Sequence, residues 1–123
     1  SERALMKAAR EIARDFEMPL LAAQTLLTIR FQPGHSINHL CEQLDTTTPT
    51  FARIIADLEK RGLVERRRNE AGDRRVRHLF LSYEGKRVTD PATLDMRDKL
   101  RKAYRSAGAS AVGGVRSVLE ALL

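Results

Sequence analysis

Two short apolar stripes, separated by a polar interval with room only for a turn, organise the centre of this 123-residue chain. Ile37, Leu40, Cys41 and Leu44 recur at i, i+3, i+4 and i+7, the spacing of one helical face, with Ser36 before them as a capping hydroxyl. Asp45-Thr46-Thr47 is too polar and β-branched to continue that helix. Thr48-Pro49 then sets a second capping hydroxyl directly before a proline suited to the first helical position. Phe51, Ile54, Ile55 and Leu58 form the next stripe, and Gly62 follows Arg61 as a C-terminal stop. Two helices joined by a turn of about four residues are expected, a helix-turn-helix arrangement.

The flanks are helical by the same criterion. Residues 2–16 place Leu5, Ala8, Ala9, Ile12 and Phe16 on one face, and a helix opening at Pro19 carries Leu20, Ala23, Leu26 and Leu27 to about Arg30 before Pro33-Gly34 breaks the chain. After Gly62 the period changes to two. Residues 63–68 read as a strand, residues 69–73 as a hairpin tip and residues 75–81 as the returning strand. Ser82 can cap a helix through Arg87. Asp90-Pro91 is expected to interrupt or kink it before a further helical stretch from about Ala92 to Ala107. Gly108 separates a last apolar helix over residues 110–123, weakened by Gly113-Gly114, whose valines and leucines need a covering surface. The predicted fold is mainly α with a small β-ribbon. Residues 1–17 and 83–123 form a helical dimerisation region, and residues 18–82 form the ribbon-bearing helix-turn-helix.

Charge locates the ribbon's chemistry. Lys plus Arg number 22 against 16 Asp plus Glu, a net +6. Residues 60–77 hold eight bases (Lys60, Arg61, Arg66, Arg67, Arg68, Arg74, Arg75, Arg77) against three acids (Glu65, Glu70, Asp73), so this stretch supplies +5 of the total. A polyanionic partner is the natural expectation. The helix before the ribbon divides by face, with its apolar stripe inward and Pro49, Ala52, Arg53, Ala56 and Lys60 outward. Small residues let such a helix come close to a groove, and Arg53 offers a two-pronged donor to a guanine edge or a phosphate. Thr46, Thr47, Thr48 and Thr50 gather hydroxyls at the positive end of the helix dipole. A helix for the major groove and a basic ribbon for adjacent backbone or minor groove together make a reader of double-stranded DNA. The candidate contacts are Thr46, Thr47, Thr48, Pro49, Thr50, Arg53, Lys60, Arg66, Arg68, Asp73, Arg74, Arg75 and Arg77.

The run from residue 36 to residue 82 resembles the winged helix-turn-helix of the MarR family. The resemblance rests on Leu58-Glu59-Lys60-Arg61-Gly62-Leu63-Val64-Glu65-Arg66, the wing element Asp73-Arg74-Arg75, and Leu81-Ser82-Tyr83-Glu84-Gly85 where that family shows L-T-x-x-G. It implies a homodimeric transcription factor, usually a repressor, that binds a pseudo-palindrome and is often released by a small-molecule effector. It also implies that Thr48, Pro49, Thr50 and Arg53 contact bases or phosphates, that Arg74 is the wing-tip arginine, and that Asp73 orients an arginine. The turn departs from the family pattern, with Asp45-Thr46 in place of a glycine and a hydrophobic residue.

Two other readings stay open at this level. One is a metal- or redox-sensing winged-helix repressor using Cys41, His35 and His39. Cys41, however, lies on an apolar stripe and His39 on another face. The other is a winged-helix module for protein interaction whose basic face is merely solvated. No nucleophile, base and orienting group converge by spacing, so neither an enzyme nor a cofactor is expected. No apolar run approaches membrane-spanning length, and Ser1 leads into no signal-peptide core. A soluble, cytoplasmic, nucleoid-associated protein with a processed or trimmed start is expected, and a single cysteine fits a reducing compartment.

Overall fold

The computed structural model describes residues 2–68, 72 and 76–107. Helix α1 (Glu2–Asp15) lies on α2 (Leu20–Phe31), followed by α3 (Ile37–Gln43), α4 (Thr48–Lys60), strands β1 (Val64–Arg68) and β2 (Arg77–Leu81), and α5 (Tyr83–Ala107). Helix α2 is the hub, because its sequence is apolar nearly all round: Ala22, Ala23, Leu26, Leu27 and Ile29 are buried together with Thr25 and Thr28. The two threonines fit because their hydroxyls donate to the Leu21 and Gln24 carbonyls at 2.7 and 2.8 Å, leaving no unpaired polar atom inside. Phe51, Ile55 and Leu58 of α4, Leu40 and Cys41 of α3, and Val64, Leu79 and Leu81 of the ribbon complete one core.

Three helices, α1 (at Glu17, φ +49°), α3 and α4, end in the same way, with one residue in left-handed backbone and two reversed hydrogen bonds. At the end of α4 this residue is Gly62 (φ +74°), with its N–H bonded to the Glu59 carbonyl and Leu63 N–H to the Leu58 carbonyl, both at 2.9 Å. At the end of α3 it is Asp45 (φ +49°), where Asp45 N–H meets Glu42 O at 3.1 Å and Thr46 N–H meets Cys41 O at 3.2 Å. The departure from the family turn thus falls on a site whose backbone favours glycine. Removing the Cβ there relieves strain, and the greater freedom of glycine in the unfolded chain offsets part of that relief. Asp45→Gly is expected to raise stability by about 0.5–1 kcal/mol, and Asp45→Val to lower it by about 1–2 kcal/mol. Thermal unfolding followed by circular dichroism measures both.

The structure corrects the expected boundaries in three places. The N-cap of α4 is Thr47, not Thr48: its backbone is extended (φ −80°, ψ 152°) and its hydroxyl accepts from Thr50 N–H, so Pro49 sits second in the helix. Either place suits proline, since the first four N–H groups of a helix have no internal partner. Pro19 likewise precedes α2, its carbonyl accepting from Ala22 and Ala23 N–H at 3.0 and 3.2 Å. The largest difference is α5, which runs through Pro91 as one helix of 25 residues. An interior proline costs about 3 kcal/mol, yet here Val88, Thr89, Ala92, Thr93 and Met96 are buried around it, and that burial outweighs the missing N–H. The Thr89 hydroxyl donates to the Gly85 and Lys86 carbonyls, and that of Thr93 to the Thr89 carbonyl. The apolar helix expected over residues 110–123 lies outside the described residues.

The ribbon pairs Val64 with Leu81 and Arg68 with Arg77, antiparallel. It has a short third partner that periodicity did not suggest. Gly34 N–H donates to Leu79 O and Leu79 N–H to His35 O, both at 3.0 Å, and Ser36 bridges His78. The segment read as a plain chain break therefore joins β2 to the N-cap of α3.

Candidate nucleic-acid interface

The outward face of α4 is as its periodicity implies. Pro49, Ala52, Arg53, Ala56 and Lys60 lie on the side away from the core, while Phe51, Ile55 and Leu58 anchor the helix and Ile54 is half-buried. Thr47, Thr48 and Thr50 are exposed at its N-terminal end. Their hydroxyls are not equivalent. Thr47 is occupied as the cap and bonds the Thr50 hydroxyl at 2.9 Å, whereas Thr48 and Arg53 form no side-chain bond among the described residues. The N–H and the carbonyl of Thr46 are both engaged by Cys41, the carbonyl accepting from the thiol at 3.1 Å. Its place is in the turn.

Cys41 itself is buried in the core, as its stripe position implies. The His35 and His39 rings stack at 4.4 Å, and no group of three or more metal-ligating side chains occurs among the described residues.

The ribbon sorts its arginines by face, because alternate residues of a strand point to opposite sides. On the side facing α4 lie Val64, Arg66 and Arg68, opposite Leu81, Leu79 and Arg77. Val64, Leu79 and Leu81 are buried, and Arg66 reaches α4 to bond Glu59, with Nη2 2.7 Å and Nε 2.8 Å from the same carboxylate oxygen. Further out on this side, Arg68 stands directly across from Arg77, and neither has an ion-pair partner among the described residues. Two like charges opposed on adjacent strands repel, and a bound anion relieves that repulsion. On the far side Arg67 lies over the Phe80 ring, 4.5 Å from its centroid, and pairs with Glu65 at 3.0 Å. Asp73, Arg74 and Arg75 lie outside the described residues.

Two structural roles were not visible as spacing. Arg61 bonds Asp57 at 3.0 Å and donates to the Phe16 and Glu17 carbonyls at 3.0 and 3.2 Å, tying the end of α4 to the corner between α1 and α2. His78 Nδ1 lies 2.7 Å from the Gly34 carbonyl, fixing the third segment of the ribbon. Both signals depend on pairs 44 and 45 residues apart, which no local pattern reports.

A helix pair with a four-residue turn, its second helix exposed and followed by a basic hairpin that packs back on it, defines a winged helix-turn-helix protein. Residues 16–75 match the model of the MarR family. Over 95 residues the chain is 37% identical to the HTH-type transcriptional regulator PetP of Rhodobacter capsulatus, covering 77% of this chain and 57% of that one. The chain thus spans little more than half the length of this relative. The transcriptional regulator Tm0710 of Thermotoga maritima superimposes with a TM-score of 0.66 at 21% identity, over 96% of this chain and 82% of that one. The MepR–DNA complex of S. aureus superimposes with a TM-score of 0.63 at 19% identity, over 94% and 87% respectively. The chain belongs to the MarR family. PetP and Tm0710 are both named as transcriptional regulators, not enzymes. No helix among the described residues is long and apolar enough to cross a membrane.

Proposed function

We propose that the protein is a homodimeric transcriptional regulator of the repressor type that binds pseudo-palindromic duplex DNA, laying α4 in a major groove and the ribbon on adjacent backbone. The observation that carries this is the continuity of one surface. The small-residue face of α4 with Arg53 is flanked by the ribbon side on which Arg68 and Arg77 repel one another. Thr48, Pro49, Thr50 and Arg53 would meet the groove, with Lys60, Arg68, Arg77 and the Asp73-Arg74-Arg75 element on phosphates. A relative of the same fold, MepR, has been crystallised with DNA, which supports this partner class.

Dimerisation through residues 1–17 and 83–123 is supported by apolar side chains that the single chain leaves exposed, Leu94 at 62% and Tyr104 at 40% on α5 and Phe16 at 46% after α1. Half-sites would then lie about one helical turn apart. A cleft of about 350 Å³ behind the ribbon, lined by Ile29, Arg30, Pro33, Arg67, Phe80 and Lys86 among others, supports release by a small molecule. Such a molecule would act by changing the separation of the two α4 helices. A cytoplasmic location follows from this function.

The test is a fluorescence-anisotropy titration of random-sequence duplex at several salt concentrations. Binding that weakens linearly with log salt is expected. Absence of binding at low salt, or no salt slope, refutes a DNA partner and favours a protein-interaction module. The double substitution Arg68→Gln with Arg77→Gln is expected to reduce the slope by about 2, close to 0.9 for each phosphate no longer neutralised.

A further inference from the structure

We propose that Arg66 is a positioning residue, not a DNA contact: its bond to Glu59 sets the angle at which the ribbon leaves α4. The inference rests on the DNA-binding function above and divides the ribbon's arginines into those that hold it and those that use it.

By composition Arg66 is one candidate phosphate ligand among the arginines of the run, but its guanidinium is already committed. Two of its N–H groups converge on one Glu59 oxygen at 2.7 and 2.8 Å. A phosphate approaching Arg66 would come against the Glu59 carboxylate as well, so the pair presents no net positive charge to a polyanion.

The location of the bond gives it leverage. Glu59 lies near the end of α4 and Arg66 is the third residue of β1, so the bond spans the turn at Gly62. The turn itself is held by the start of α5, where the Ser82 hydroxyl donates to the Gly62 carbonyl and Ser82 N–H to the Leu63 carbonyl, so the bond acts on the part of β1 beyond it. On the body side of the turn, Arg61 is held by Asp57 and by two carbonyls at the α1–α2 corner. On the ribbon side, core burial ends with Val64, Leu79 and Leu81; beyond them β2 is held by residues 34–36 as far as His78, and Arg66 is the residue of β1 that bonds α4. The Glu59–Arg66 bond therefore ties β1 directly to the helix that carries Arg53, while residues 34–36 hold the other strand.

The two roles predict opposite signs for Glu59. Neutralising an acid beside a DNA contact strengthens binding by removing repulsion, whereas neutralising a positioning acid weakens it. Wild type, Glu59→Gln, Arg66→Gln and the double variant are titrated with a fluorescein-labelled random duplex of about 20 base pairs across a salt series. Glu59→Gln and Arg66→Gln are each expected to bind about fivefold more weakly, the scale of an exposed ion pair, with the wild-type salt slope retained. The double variant is expected to be no weaker than either single one, because both remove the same bond. Amide hydrogen exchange on the free proteins gives a readout independent of DNA, with faster exchange over residues 77–81 in both single variants. A Glu59→Gln protein that binds as tightly as wild type or tighter overturns the proposal. So does an Arg66→Gln protein whose salt slope falls by about 0.9, or unchanged exchange over residues 77–81. Failure of the wild type to bind duplex refutes DNA binding itself, and the exchange rates still decide the positioning role.

Discussion

Gly85→Ala is expected to cost roughly 3 kcal/mol and to lower the unfolding midpoint by about 10–15 °C, although alanine is the better helix former. In an exposed helix the same change would stabilise the protein by about 0.5–1 kcal/mol. Here the added Cβ would lie 2.1 Å from the Leu63 carbonyl oxygen and 3.1 Å from its carbon, with Leu81 Cβ at 3.3 Å. Leu63 O cannot yield cheaply, since it accepts from Ser82 N–H at 3.0 Å, and Ser82 in turn caps α5 by accepting from Gly85 N–H at 3.1 Å. The glycine of the L-S-x-x-G motif is thus required because α5 starts against the backbone that leads into β1. Gly62→Ala provides the contrast, with open space at its Cβ and a left-handed backbone that costs about 1–2 kcal/mol. Thermal unfolding by circular dichroism orders the two. A Gly85→Ala protein as stable as Gly62→Ala would mean that α5 does not approach Leu63 this closely.

Arg53→Ala is expected to weaken binding to a duplex selected from a random pool by about ten- to a hundredfold, matching the roughly 1–3 kcal/mol carried by a bidentate arginine–base pair. On unselected duplex the loss is expected to be only several-fold. The contrast follows from position. Arg53 stands between Ala52 and Ala56 on the exposed side of α4, with no ion pair among the described residues holding it elsewhere. Substituting Arg68 and Arg77, whose proposed role is charge alone, is expected to lower affinity for both duplexes alike. Equal losses for Arg53→Ala on selected and unselected DNA would reassign it to the backbone, and no loss would remove α4 from the groove. Anisotropy titrations at one fixed salt concentration suffice.

What the chain disclosed by inspection followed from period and punctuation. Ile37, Leu40, Cys41 and Leu44, then Phe51, Ile55 and Leu58, are spaced as their burial requires, and Gly62 marks the stop that its positive φ makes necessary. Period could not place Thr47 ahead of Thr48 as the cap, because the choice rests on which hydroxyl reaches Thr50 N–H. Nor could it foresee that α5 continues past Pro91, since local propensity was overruled by burial against other helices. The pairing of residues 34–36 with β2 was hidden because so short a segment has no period. Composition found the basic ribbon but could not rank its arginines. Arg66 and Arg67 carry the same charge as Arg68, yet one is held by Glu59 and the other by Phe80 and Glu65.

The third segment of the ribbon also bears on solubility. Strand β2 is bonded on both sides, to β1 and to residues 34–36, which leaves the far edge of β1 with no strand partner among the described residues. An uncovered strand edge is a template for pairing with another copy of the chain, and proteins guard such edges with charge. Four of the five residues of β1, Glu65, Arg66, Arg67 and Arg68, are charged. Charged side chains on nearly every residue of this edge disfavour its pairing with another copy. The arginines that suit a polyanion would therefore also discourage pairing between copies at this edge.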